Sequence, residues 1–267
     1  MELPAGVEKL LLQGIDFIYM LMPRHLPEPD ALRSCKIVSH RGEHDNISVY
    51  ENTMAAFDRA LALGIWGIEF DVRWTRDLQP VVAHDPDLKR VFGMGTTIAE
   101  MEFDNLRSHC PAVPLLSEVV AKHGKKMHFM VEIKEETYPD PDRQNAIFKD
   151  CFAVLEPGVD YHLMSLTPEM FDLITFVPSS IFIPIASLDM ARFSELALDK
   201  GYGGIAGHYL LLSDAILKKH RLRDQLAGTG YPGSKNCLFR EVNRGVEWIF
   251  SNNAGELQEI ISRLLNK

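Results

Sequence analysis

From Lys36 to the C-terminus, short apolar runs alternate with amphipathic stretches, and this alternation limits the fold more than any other feature of the chain. Residues 36–40, 65–72, 127–134, 161–165, 180–186, 203–207, 225–229 and 246–251 are short and apolar, as buried strands are, and 79–84 adds one more such run. Residues 52–63, 114–124, 142–155, 168–176, 188–199, 213–221, 235–244 and 255–266 carry helical patterning. Single helices between successive strands imply right-handed βαβ units and a parallel sheet. Eight such units fit, so the expected architecture is α/β, a (β/α)8 barrel formed by residues 1–267 as one domain. No repeat or composition break marks a second domain. Residues 86–112, with Gly93, Gly95 and Pro111, read as an irregular, polar excursion after the second strand.

Residues 1–30 precede the barrel. Val7, Leu10, Leu11, Ile15, Ile18, Leu21 and Met22 form one helical stripe, broken by Glu8, Lys9, Gln13 and Asp16, and Pro23 ends it. The segment is too short and too charged to span a membrane. It reads either as a helix closing one end of the core or as a surface that touches a membrane or partner through residues 7–22. Glu2 and Glu8 stand where a signal peptide would be basic, so the expectation is cytoplasmic, with peripheral membrane contact as the alternative. The widely spaced Cys35, Cys110, Cys151 and Cys237 lack zinc-type spacing and read as free thiols. A net charge of −9 argues against a nucleic-acid partner, since phosphate backbones need a basic footprint.

The chemistry concentrates between Val38 and Lys134. In IWGIEFDV, Glu69 and Asp71 are two residues apart on a strand and therefore share a face. Paired carboxylates in an apolar run repel each other and lose hydration, and a hard divalent cation is the simplest compensation. MHFMVEIK likewise places Glu132 and Lys134 on one face at its end, while His40 closes IVSH and His84 closes VVAH. In a parallel barrel, strand C-termini carry the chemistry, and His40, Glu69, Asp71, Glu132 and Lys134 lie there. Glu51 reads either as an orienting group for His40 or Arg41 or as a first-turn helix acid. The loop GTGYPGSKN, residues 228–236, reads as a substrate entrance or a plain turn. His128 shares a face with Glu132 but falls near the opposite strand end, so a structural role is expected.

The ordered set His40-Arg41-Gly42, Glu51-Asn52-Thr53, Glu69-Phe70-Asp71, His84-Asp85 and Glu132-Ile133-Lys134 resembles the glycerophosphodiester phosphodiesterase family. The resemblance is strong over residues 36–134, and VPLLSEVV and WIFSN are similar to later family segments. It implies a TIM barrel that hydrolyses a glycerol phosphodiester with a bound divalent cation, Mg²⁺ or Ca²⁺. By position it implies Glu69, Asp71 and Glu132 as metal ligands, His40 and His84 as the acid–base pair, and Arg41 and Lys134 as phosphate partners. The chain departs from the family pattern in the long link EHDNISVY and in Leu78, which replaces a turn glycine. The expected reaction releases glycerol 3-phosphate and an alcohol from a small-molecule diester. Attack by the neighbouring glycerol hydroxyl and attack by water both remain open, as do the order of the two histidines and the oligomeric state. The alternatives are a lysophospholipase D-like cleavage of a lipid diester and a catalytically silent barrel that binds headgroups or a partner.

Overall fold

The computed structural model describes residue 14 and residues 17–266. Much of the expected helix over 7–22 lies outside the described residues; residues 17–21 are helical. Helix α1 (Pro29–Ser34) leads into β1 (Lys36–His40), α2 (Met54–Ala62) and β2 (Gly67–Trp74). After β3 (Pro80–Val82), the 86–112 excursion holds β4 (Asp87–Leu88), α3 (Lys89–Phe92), β5 (Met94–Thr97) and α4 (Phe103–His109), and α5 (Leu116–His123) follows it. The order then runs β6 (His128–Ile133), α6 (Pro141–Phe152), β7 (Tyr161–Ser165), β8 (Phe182–Ala186), α7 (Met190–Lys200) and β9 (Gly204–His208). It closes with α8 (Asp214–Arg221), β10 (Leu226–Gly230), α9 (Lys235–Asn243), β11 (Trp248–Ser251) and α10 (Ala254–Leu265).

Eight parallel strands form a closed ring, β1-β2-β6-β7-β8-β9-β10-β11, with β11 returning to pair with β1. This is the expected (β/α)8 barrel. The strand alternation divides its side chains. Ile37, Ile68, Phe70, Phe129 and Val131 face outward into the layer of helices, whereas Val38, Met130, Met164, Ile183, Ala206 and Trp248 fill the interior. The same period carries His40, Glu69, Asp71 and Glu132 into the interior at the C-terminal rim. Register confirms the level, because His40 pairs with Glu69 and Asp71 with Glu132.

Three elements differ from expectation. The run at 79–84 contributes no barrel strand: β2 continues past the rim, and β3 folds back antiparallel on its last residues, pairing Val82 with Val72. The turn between them puts Leu78 at φ 62°, where the family resemblance leads one to expect glycine. Its side chain is buried in the core, and that burial offsets a left-handed penalty of roughly 1–2 kcal/mol. Second, residues 86–112 are ordered. They bury Leu88, Ile98, Leu106 and Cys110 with Val81 and Val113 in a small core of their own. Their elements are too short for periodicity to reveal them. Third, 168–176 holds a 3-10 segment, Pro168–Leu173, instead of an α-helix. Pro168, Phe171 and Ile174 are buried at intervals of three, the 3-10 period, and Pro178 closes the stretch.

The floor of the barrel holds a buried histidine pair. His128 Nδ1 donates to Val159 O at 2.8 Å, so its Nε2 accepts from His162 Nδ1 at 2.8 Å, with Trp66 stacked on His128 at 4.4 Å. His128 is therefore structural and remote from the rim, as its position on the strand suggests. Burial pushes His128 down to about 4, and burial together with the neighbouring His128 pushes His162 down to about 3. Both rings fold neutral, whereas an unfolded histidine titrates near 6.5, so the unfolded chain binds more protons below that pH. Their contribution is complete above pH ~6.5 and is lost as pH falls toward 4. Between pH 7 and 4.5 the unfolding free energy should drop by on the order of 2 kcal/mol for each of the two rings. Denaturant titrations should show a shallower drop in His128→Gln; an equally steep one would remove these rings as the cause.

Candidate active site

Three loops and four strand ends meet at the rim. His40 ends β1, and Arg41 follows at φ 58°, a left-handed conformation unusual for arginine. That turn points the Arg41 backbone N–H at both Glu69 O (2.9 Å) and Glu69 Oε2 (3.1 Å). Gly42 (φ 77°) is required on steric grounds too, because a Cβ there would lie 2.8 Å from Ala56 Cβ on α2. Each residue of Glu51-Asn52-Thr53 has a separate task. Thr53 caps α2 by accepting from Ala56 N, Asn52 Nδ2 donates to Asp71 Oδ2 at 2.8 Å, and Glu51 Oε1 accepts from Arg41 Nη1 at 2.8 Å. Glu51 therefore lies before the cap and orients Arg41 rather than serving as a first-turn acid.

The carboxylates of Glu69, Asp71 and Glu132 are buried, and one oxygen from each lies within 4.8 Å of the others. Lys134 Nζ closes one side, donating to Glu132 Oε1 (2.6 Å) and Asp71 Oδ1 (3.2 Å), and Arg41 Nε lies 3.4 Å from Asp71 Oδ2. Burial alone would raise Asp71, but Lys134, Arg41 and His84 with the Asn52 amide outweigh it and hold its carboxyl at about 2. Glu69 fares differently: burial, then the charges of Asp71 and Glu132, push it well above the usual carboxylate range, and burial and Asp71 raise Glu132 as well. Were all three ionised, their charge would exceed that of Lys134 and Arg41, and the upward shifts of Glu69 and Glu132 are the cost of that excess. Buried carboxylate oxygens left in that condition suit a hard divalent cation, so the donor set fits one.

The two histidines are held in the same way by different partners. His40 Nδ1 donates to Asn252 Oδ1 at 2.7 Å, and Tyr231 stands edge-on to the ring at 4.9 Å. His84 Nδ1 donates to Asp85 Oδ1 at 2.6 Å, while its backbone carbonyl accepts from Arg73 Nε at 2.7 Å. In both rings this hydrogen bond makes Nε2 the lone-pair nitrogen. Burial, then the Arg41 charge, lowers His40 to about 4, and burial also lowers His84 against the pull of Asp71. His40, Arg41, Glu69, His84 and Glu132 line a cavity of about 240 Å³ whose remaining wall includes the apolar Met164, Leu166, Ile185, Ala206 and Phe250.

All seven sequence-proposed residues therefore converge. Sequence reasoning missed Asn252, Arg90, Arg73 and Tyr231. Asn252 had a usable signal, since WIFSN closes an apolar run just as IVSH does at His40. The loop over 228–236 is part strand β10 and part cavity wall, through Gly230 and Tyr231.

The chain is similar to known proteins in sequence and in fold. The glycerophosphoryl diester phosphodiesterase family model matches residues 40–163. A glycerophosphodiester phosphodiesterase of Bacillus altitudinis is 35% identical over 119 residues, 40% of this chain and 48% of that protein. A human lysophospholipase D is 42% identical over 72 residues, 27% of this chain and 22% of that protein. The matched stretches thus span about half or less of these curated relatives. Among solved structures, the glycerophosphodiester phosphodiesterase of Thermotoga maritima superposes with a TM-score of 0.70 at 19% identity, covering 85% of this chain and 98% of that one. An Oleispira antarctica phosphodiesterase in complex with the product sn-glycerol-3-phosphate gives a TM-score of 0.68 at 17% identity, covering 85% and 96%. The structural likeness establishes the shared barrel, and the sequence likeness bears out the resemblance to the phosphodiesterase family.

A divalent cation should therefore stabilise the fold. At a hundredfold excess over its dissociation constant, binding adds about 2.7 kcal/mol, equivalent to a melting shift of roughly 5–10 °C in a chain this long. Scanning calorimetry with Mg²⁺ or Ca²⁺ should show the shift in the wild type and lose it in Asp71→Asn/Glu132→Gln. An equal shift in both would place the cation elsewhere.

Proposed function

We propose that this chain, which carries the phosphodiesterase family's sequence over residues 40–163, hydrolyses glycerophosphodiesters to glycerol 3-phosphate and an alcohol. The observation that carries the reading is the pair of imidazoles, His40 and His84, each locked by an Nδ1 hydrogen bond and both lining one cavity with the acidic cluster. A diester monoanion resists attack because its oxygens repel nucleophiles. Arg41 offers a planar guanidinium and Lys134 a compact charge to those oxygens. A divalent cation held by Glu69, Asp71 and Glu132 would supply further charge stabilisation for the pentavalent transition state.

The proton balance needs two groups. One Nε2 takes the proton of the attacking oxygen, while the other ring, entering as imidazolium with a solvent proton on Nε2, gives that proton to the departing alkoxide as the P–O bond breaks. If the glycerol hydroxyl attacks, water then opens the cyclic phosphate with the two roles reversed. Charge is better tolerated on His84, whose Nδ1–H faces the Asp85 carboxylate, than on His40, whose partner is the neutral Asn252 amide. The cation is either Mg²⁺ or Ca²⁺, because carboxylate oxygens favour hard ions.

A lipid leaving group is a second reading, supported by the apolar part of the cavity wall and by the likeness to a human lysophospholipase D. Phe17, Ile18, Leu21 and Met22 are exposed and would give such a chain an apolar contact with a membrane. Among the described residues no helix is long and apolar enough to cross one.

Release of glycerol 3-phosphate from glycerophosphocholine should stop with EDTA and resume with Mg²⁺ or Ca²⁺. His40→Ala and His84→Ala should each lower kcat by about 10²–10⁴. Cleavage of lysophosphatidylcholine alone would shift the reading to the lipid diester, and survival of both substrates would leave a barrel that binds without turnover.

A further inference from the structure

Arg90 sits on α3, in the excursion, and no motif reading assigns it a role. Its guanidinium nonetheless spans two carboxylates from separate parts of the chain. Nε donates to Asp85 Oδ2 at 2.6 Å, Nη1 to Glu51 Oε2 at 2.9 Å and Nη2 to Glu51 Oε1 at 2.6 Å. Each of those carboxylates also reaches a group at the rim, and Glu51 Oε2 accepts from Asn46 Nδ2 at 2.8 Å as well. Asp85 Oδ1 accepts from His84 Nδ1 at 2.6 Å, and Glu51 Oε1 accepts from Arg41 Nη1 at 2.8 Å. The chain His84–Asp85–Arg90–Glu51–Arg41 is therefore continuous, and among the described residues Arg90 joins the His84–Asp85 pair to the Glu51–Arg41 pair.

We propose that Arg90 is a positioning residue for the reaction proposed above, fixing the His84 imidazole and the Arg41 guanidinium relative to each other through Asp85 and Glu51. The role depends on shape as well as charge. Three donors in one plane reach two carboxylates at once, which a lysine ammonium cannot reproduce. The mount is firm as well. Leu88 and Ile98 are buried on either side of α3, Phe92 packs against Tyr50 at 5.4 Å, and Gly93 (φ 74°) ends the helix. The Arg90 side chain is half-exposed, and the buried Glu51 carboxylate keeps Arg41 and Asn46 as partners when Arg90 is removed. Its loss should therefore disturb alignment far more than folding.

The test compares the wild type with Arg90→Gln, Arg90→Lys, Asp85→Asn and the double variant Arg90→Gln/Asp85→Asn, in the cation-loaded full chain acting on glycerophosphocholine. Arg90→Gln should lower kcat by about 10–100-fold, as loss of an orienting partner commonly does. KM should stay within about threefold and the melting temperature within about 2 °C. Arg90→Lys should recover only part of the rate, and the double variant should be no slower than Asp85→Asn, because both act on one hydrogen-bonded unit. Proton NMR provides a readout that needs no turnover: the low-field His84 Nδ1–H resonance should be present in the wild type and shifted or lost in Arg90→Gln. Wild-type kcat and an unmoved resonance in Arg90→Gln would overturn the proposal, as would full rescue by lysine. An inactive wild type with the resonance lost in Arg90→Gln would refute the assigned reaction and leave the positioning role standing. Should Arg90→Gln fail to fold, Arg90→Lys with the same resonance decides the matter.

Discussion

Three carboxylates held out of water at one end of a closed sheet are the constraint on which the rest of this molecule depends. Left alone, such charges would repel one another and protonate or pull apart. The strand alternation that fills the barrel with Val38, Met130 and Trp248 also forces Glu69, Asp71 and Glu132 inward, so the fold cannot avoid the problem. Much of the surrounding architecture answers it. The left-handed turn at Arg41 turns a backbone N–H onto Glu69, Asn52 turns its amide onto Asp71, and Lys134 bridges Asp71 and Glu132. What these neighbours leave uncompensated is the attraction for a cation, and then for the phosphate that would share it. Stability is given up locally in exchange for an electrostatic demand that only a ligand meets.

Sequence made the ring and its chemical end legible because both rest on short-range regularities. A two-residue period puts Glu69 beside Asp71, and an apolar run that stops at His40 or Glu132 marks a strand end. Where burial follows another period the reading fails, as at Pro168, Phe171 and Ile174, whose spacing of three suits a 3-10 turn but passes for a helix in a single window. The two short strands and the four-residue helix of the excursion offer fewer residues than a period needs. Their order comes from tertiary burial of Leu88, Ile98 and Leu106, which no local pattern announces.

The groups that orient the site were harder to find than the groups it displays. Asn252 lies 212 residues beyond His40 in the chain, and Arg90 lies 39 beyond Glu51; the strand end at Asn252 marks that residue as a rim candidate, but nothing local in either case names the partner. An arginine five residues after an aspartate on a polar stretch looks like any solvated surface charge. Only the closing of the ring, which brings β11 next to β1, makes Asn252 a neighbour of His40. Side chains that meet a ligand can be guessed from their chemistry, whereas side chains that hold those in place are defined by geometry alone.

The antiparallel return of β3 gives the site an uneven foundation. His40 belongs to a ring in which every strand has strand partners on both edges, while His84 follows a three-residue strand paired with the overshoot of β2 and bridged on its other side, among the described residues, only at Pro114 and Leu115. The ring can persist with that flap detached, since none of its parallel ladders uses β3. Amide hydrogen exchange through partial openings should therefore be faster in β3 and the turn at His84 than along β1 or β6. Such a molecule would lose the alignment of its two histidines before it lost its fold, and warming or mild denaturant should produce a population that is compact and barrel-shaped with this constellation taken apart.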